Sequence, residues 1–452
     1  MSLFGRIGSR IISLILRRPG DFLVSRFGPK QYVHQNALLI LTDINPNQRD
    51  NLTRTLEDIN TKLRNNPKVS FHNTKTIHYA AWMIIPGLRN KEKPDGPPKL
   101  AFETNYDGKL KEHLADLVNN CLDELNEVYG YFTDYPVSGR TWENVSEYSK
   151  DVQEYLNNRC QITDSRIDAS AYYVALPGRS VKDIKNAIEV YYEAKNFVDE
   201  LPDKNCDPTT LQVALLDHFR NGAKVKPCRP QVTQNGVRGL FVLNMTVVTL
   251  LLPFTLLYLG FWFVLNFVAR FFEKKEERRE SKQKPFDPTC HGVDYAHLDL
   301  GRQNHLCSYV TVSAGCFRMF VLRCALWLGT VLFNYFFILG KLDQISTVHF
   351  ARWMLIDRQL LFYGNYDGNW SSYLSDFSDE AWGVNLIWGN TIGFPRTKFL
   401  IGRGARDLEG FQSQAVTHYA PAPLFFSAYG SHSLVNILRY LEFRDELVKA
   451  IE

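Results

Sequence analysis

One stretch of this chain occurs twice, and that repetition constrains its folding more than any total does. The residues Thr76-Ile77-His78-Tyr79-Ala80-Ala81-Trp82-Met83 return as Thr347-Val348-His349-Phe350-Ala351-Arg352-Trp353-Met354. Downstream, Asn105-Tyr106-Asp107-Gly108 returns as Asn365-Tyr366-Asp367-Gly368, each ahead of a helix-like stretch. Later still, Ala171-Tyr172-Tyr173-Val174-Ala175 is echoed by Leu424-Phe425-Phe426-Ser427-Ala428. The helical patterns that follow end in Phe197-Val198-Asp199-Glu200-Leu201 and Phe443-Arg444-Asp445-Glu446-Leu447. Four matched blocks in one order read as two copies of a single unit.

The pattern within each copy is strand, helix, strand, strand, helix, strand. In copy one, strands are expected at 37–44, 76–85, 99–104 and 171–176, with helices at 47–63 and 110–128. In copy two, strands are expected near 305–313, 346–356, 359–365 and 423–428. Period-two alternation marks the strands and three-four spacing the helices. This order is the ferredoxin-like split βαβ pattern. The expected fold class is therefore α+β: two tandem ferredoxin-like units paired as a pseudo-dimeric α/β barrel, with membrane-associated helices. The expected organisation is a basic amphipathic helix in 1–30, copy one over 31–202, a linker over 203–300 and copy two over 301–452.

Membrane attachment is expected from three places. Residues 1–18 hold no acidic residue, and Arg6, Arg10, Arg17 and Arg18 flank apolar positions spaced by three and four. That suits a helix lying in a headgroup layer, or alternatively a removable transit peptide. Segments 239–269 and 319–339 are apolar enough to suggest two spans. The repeat argues against the second span, because 319–339 occupies the place of the helix 47–63. A helix joining two strands of one sheet must start and end on one side of a bilayer. It is expected to lie along the sheet, with Arg318 and Arg323 reaching headgroups. Segment 239–269 would form a helix of about 46 Å against a core of about 30 Å, and Pro253 interrupts it. A re-entrant or interfacial arrangement on the cytoplasmic face is expected, with a tilted span as the alternative.

The net charge of +4 on 452 residues gives no reason to expect a nucleic-acid partner. Eight cysteines without a CxxC read as mostly reduced thiols. Cys290, His291, His297, His305 and Cys307 have metal-ligand chemistry but match no standard zinc spacing. Phosphate-binding glycine loops and GxSxG are absent from the sequence.

Candidate site residues are sought where the copies differ. Arg352 replaces Ala81, and an arginine in an apolar strand must be paired or face a polar cavity. Gly402-Arg403-Gly404-Ala405-Arg406-Asp407 has no glycine-arginine counterpart and suits an anion, or is an ordinary turn before a helix. His349 and Asp367 recur in both copies, which favours a role in the fold. The chain resembles the dimeric α/β-barrel superfamily in its element order, and Gly364-Asn365-Tyr366-Asp367-Gly368 resembles the GxxDG pattern of dye-decolourising peroxidases. That resemblance implies a haem, with Asp367 as distal acid-base and Arg352 or Arg403 as distal arginine. It further implies His418 or His349 as iron ligand. Arg403, Arg406, Asp407 and His418 are the expected ligand-binding residues. The expected function is binding or oxidative conversion of a lipophilic small molecule at a lipid bilayer. The alternative is a non-enzymatic membrane-associated scaffold or lipid-binding protein.

Overall fold

A computed structural model describes residues 33–65, 70–87, 96–136, 145–160, 167–201, 207–229 and most of 301–452, with a few residues between 260 and 268. The expected helix in 1–18, most of 239–269, the residues Cys290, His291 and His297, and Arg403 lie outside the described residues.

In copy one the elements are β1 (Gln35–Asp43), α1 (Arg49–Asn65), β2 (Ile77–Ile85), β3 (Lys99–Asp107), α2 (Leu110–Tyr129), α3 (Val145–Asn158), β4 (Ile167–Val174) and α4 (Val181–Asp199). After α5 (Pro208–Asp217) come β5 (Gln303–Thr311), α6 (Cys316–Tyr335), β6 (Val348–Ile356) and β7 (Gln359–Asp367). The chain ends with α7 (Trp370–Glu380), α8 (Val384–Trp388), α9 (Leu408–Thr417), β8 (Leu424–Ser427) and α10 (Leu434–Ile451).

Two antiparallel four-stranded sheets form, of order β1-β3-β2-β8 and β4-β6-β7-β5. Each copy therefore supplies three strands to its own sheet and sends its last strand to the other. β8 pairs with β2, placing Phe426 opposite Ala80, and β4 pairs with β6, placing Tyr172 opposite Arg352. Sequence patterning predicts that 171–176 completes its own copy; the strand completes the other instead. Alternation encodes which face a strand buries, not which edge it joins. The sheets also do not close into a barrel among the described residues, because hydrogen bonding stops at β1 and β8 in one and at β4 and β5 in the other.

The sheets pack face to face with helices outside, so strands are apolar on two faces. In β1, Leu38 and Ile40 meet the helices while Leu39 and Leu41 point between the sheets. Leu52, Leu56, Ile59 and Leu63 form the buried stripe of α1 on sheet one. Met83, Met354, Ile356, Leu361 and Tyr363 join Leu39 and Leu41 to fill the space between sheets. α6 lies along sheet two, as expected of a helix joining two of its strands, with Val321, Leu322, Ala325 and Leu326 buried against it. Arg318 does not extend outward; it is buried and donates to the Gly389 carbonyl at 3.3 Å. Among the described residues, no helix is long and apolar enough to cross a membrane.

Candidate functional site

The two Asn-Tyr-Asp-Gly corners are built alike. Gly108 and Gly368 take positive φ of 80° and 88°, which turns each strand sharply into its helix. The aspartate one residue earlier points back into the fold. Asp107 Oδ2 accepts from the Val181 amide at 2.7 Å, and its Oδ1 accepts from His78 Nε2 at 2.8 Å. Asp367 repeats this with the Leu434 amide at 2.6 Å and His349 Nε2 at 2.8 Å. Each carboxyl thus fastens the first residue of α4 or α10, next to the serine cap, Ser180 or Ser433. Each histidine sits where the β2–β3 or β6–β7 register shifts at a bulge. Tyr429 meets the Nδ1 of His78, and Gln303 lies 3.5 Å from Nε2 of His349.

Arg352 lies elsewhere, between the sheets. Matching strand registers pairs Ala37 with His305, Ala81 with Arg352, Glu103 with Tyr363 and Asn105 with Asn365. Only the asparagines are the same in both copies, and they meet at the centre, where Asn105 Nδ2 donates to Asn365 Oδ1 at 2.9 Å. Around them, Asn365 Nδ2 donates to His305 Nδ1 at 3.1 Å and Asn105 Nδ2 to Glu103 Oε1 at 3.2 Å. The Tyr172 hydroxyl donates to Asn105 Oδ1 at 3.1 Å, and Arg352 Nη1 to the Ala37 carbonyl at 3.2 Å. Because Nδ1 of His305 accepts, its Nε2 carries the proton and faces Glu103 Oε2 at 3.7 Å and Met83 Sδ at 3.2 Å.

Glu103, Asn105, His305, Arg352 and Asn365 are all buried. Burial holds the His305 imidazole neutral, down to about 3. It also lifts the Glu103 carboxyl to about 7, against the opposing pull of Arg352 and the Asn105 hydrogen bond. The Tyr363 phenol and the Cys307 thiol are raised as well, first by burial and then by nearby negative charge.

The remaining predicted residues are dispersed at the ends of α9. Asp407 caps that helix, its Oδ1 accepting from the Gly410 amide at 3.0 Å, and Arg406 is exposed. His418 ends the helix, its Nδ1 2.9 Å from the Gln414 carbonyl. Residues 404–406 form a 3-10 turn in which Ala405 donates its amide to Asn385 Oδ1. Gly404 is required there, since a Cβ would lie 2.4 Å from that same oxygen. The predicted set therefore falls into three places: Asp367 with His349, Arg352 between the sheets, and Arg406, Asp407 and His418 around α9. Glu103 and His305 were not singled out as partners of Arg352, although they too differ between copies.

Among the described residues, Asp367 and His349 do not fit a haem. Asp367 has an amide on one oxygen and His349 on the other, in the arrangement that Asp107 and His78 repeat. The space between the sheets is filled by side chains. Among the described residues no cluster of three or more metal-ligating side chains occurs.

A cavity of about 20 Å³, the room one water needs, lies on the helical side of sheet two among Leu306, Phe362, Tyr373, Phe377, Trp388 and Gln414. Here too the copies differ. In copy one Thr104 Oγ1 and His113 Nε2 are 2.8 Å apart; the matched residues in copy two are Gly364 and Tyr373. A Cβ on Gly364 would lie 2.9 Å from the Tyr373 hydroxyl, which is buried and has no hydrogen-bond partner among the described residues. Gly364→Ala is expected to cost about 1–3 kcal/mol in denaturant unfolding. Tyr373→Phe in the same chain should recover part of that loss; no recovery would place the clash on Phe362 instead.

In comparison with known proteins, no family model, no curated protein and no solved structure matches the chain.

Proposed function

We propose that this chain is a membrane-surface protein that works by binding, a scaffold or lipid-binding protein attached to one face of a bilayer. The observation that carries the reading is an apolar surface that continues from α6 into the linker. Phe320 on the outer side of α6 is 45% exposed, and its ring lies 6.0 Å from that of Phe261. Residues 260, 261, 264, 267 and 268 are helical, and Phe261, Val264, Phe267 and Val268, spaced by three and four, are exposed, Phe267 by 74%. Aligned apolar side chains with aromatic members are what an interfacial helix presents to an acyl layer. The cationic excess over 270–284 suits the anionic cytoplasmic leaflet. The two copies are read as ferredoxin-like units joined by duplication into a pseudo-dimer whose last strands are exchanged. Support for that reading is the shared register of β1–β3 and β5–β7, residue for residue.

Flotation of the full-length protein with phosphatidylcholine–phosphatidylglycerol vesicles tests this. Wild type should float, and Phe267→Glu combined with Phe320→Glu should lower the bound fraction about tenfold while leaving the circular dichroism unchanged. Equal flotation of the variant, or none by wild type, would refute attachment through this surface.

A further inference from the structure

We propose that Glu103, His305 and Arg352, gathered where the two sheets meet, form a proton-linked lock that sets how firmly the two sheets hold together. The argument begins with position. The cluster surrounds the contact of Asn105 with Asn365, which joins β3 of one sheet to β7 of the other. Each of these strands belongs to the central pair of its sheet, so loosening here separates the sheets and not merely an edge.

The second part of the argument is the inventory of charge. On its own sheet, Glu103 is flanked by Leu39 and Ala81, which carry no charge. Across the interface, β5 presents His305 and Cys307, β6 presents Arg352, β7 presents Tyr363 and β4 presents Tyr172. The tyrosines and the cysteine stay protonated, each raised by burial, and His305 stays neutral. Glu103 is left as the group in this cluster that changes charge near neutral pH, with Arg352 as the fixed cation that moderates the change.

The sign follows from linkage. The folded chain keeps a proton on Glu103 that the unfolded chain has released, between the ordinary 4.5 and about 7. Stability from this group is complete below that window and is lost as pH rises through it. Mild acidification therefore tightens the sheet-to-sheet contact, and alkaline conditions loosen it. Exchange of the last strands makes this contact matter to both copies, because each sheet contains chain from the other.

Denaturant unfolding of the full-length protein at pH 5, 6, 7 and 8, followed by tryptophan fluorescence, tests the lock in wild type and Glu103→Gln. The wild-type unfolding constant should rise by up to about tenfold per pH unit between 5 and 7, relative to the variant. At pH 8 the variant should unfold about a hundredfold less readily than wild type, although it lacks the anion beside Arg352. Parallel pH profiles, or a variant less stable than wild type at pH 8, would overturn the proposal and make the group a conventional ion-pair partner of Arg352. Isotope-edited infrared spectroscopy of wild type gives an answer that does not depend on the variant folding. A protonated-acid carbonyl band that titrates near neutral pH and is assigned to Glu103 supports the lock, and a band absent above pH 5 overturns it.

Discussion

Phe426→Ala, close to the end of the chain, is expected to cost about 3–5 kcal/mol and to loosen the sheet begun near its start. Phe426 is buried, with its ring 5.4 Å from Phe71 and 5.1 Å from His72. It belongs to the cluster of Trp82, Leu52 and Phe102, all residues of copy one. β8 contributes four residues to this sheet, paired as Tyr79–Ser427, Ala80–Phe426, Ala81–Phe425 and Trp82–Leu424. Native-state hydrogen exchange should therefore show faster opening of β2 amides than of β6 amides in the variant. The reciprocal change is Tyr173→Ala in β4, where Tyr173 packs near Phe333 in the core of copy two. It should reverse that order. If each substitution loosened the sheet of its own copy first, exchange of the last strands would be refuted.

A second large effect separates a role in the fold from a role in chemistry at the Asn-Tyr-Asp-Gly corners. Asp107→Ala and Asp367→Ala should each destabilise by about 2–4 kcal/mol, measured by thermal or denaturant unfolding. Each removes the acceptor of a buried helix amide and of a buried histidine, and a donor stranded in the interior costs about 1–3 kcal/mol. Because the two geometries match, the two costs should agree within about 1 kcal/mol. A near-neutral Asp367→Ala beside a costly Asp107→Ala would show that copy two keeps its carboxyl for something other than the fold. Equal costs would assign the corner to helix anchoring in both copies.

Much of the local structure was legible in the residues. Strand bounds expected at 76–85 and 359–365 are observed at Ile77–Ile85 and Gln359–Asp367, since apolar and aromatic residues run there up to turn-forming Pro86-Gly87 and Gly368. The repeat also placed α6 along its sheet, against hydropathy, because a helix joining two strands of one sheet has no freedom to leave it. The matching bonds of His78 to Asp107 and of His349 to Asp367 accord with the occurrence of both pairs in each copy. The candidate site was less legible. Arg352 stood out as a charge in an apolar strand, but its surroundings come from Glu103, 249 positions earlier, and from His305 on a third strand. Sequence spacing carries no information about such a meeting.

What the sequence alone determined is the strands and the helices between them at 47–63 and 110–128, because propensity and alternation act over a few residues, whereas the helix Val145–Asn158 was not legible there. What only the tertiary structure decided is which sheet receives β4 and β8, and that the space between the sheets is filled. Either exposed edge satisfies a strand's backbone hydrogen bonds equally well. The choice rests on side chains such as Phe426 against Phe71 and Tyr173 against Phe333, which meet only after the chain has closed long loops.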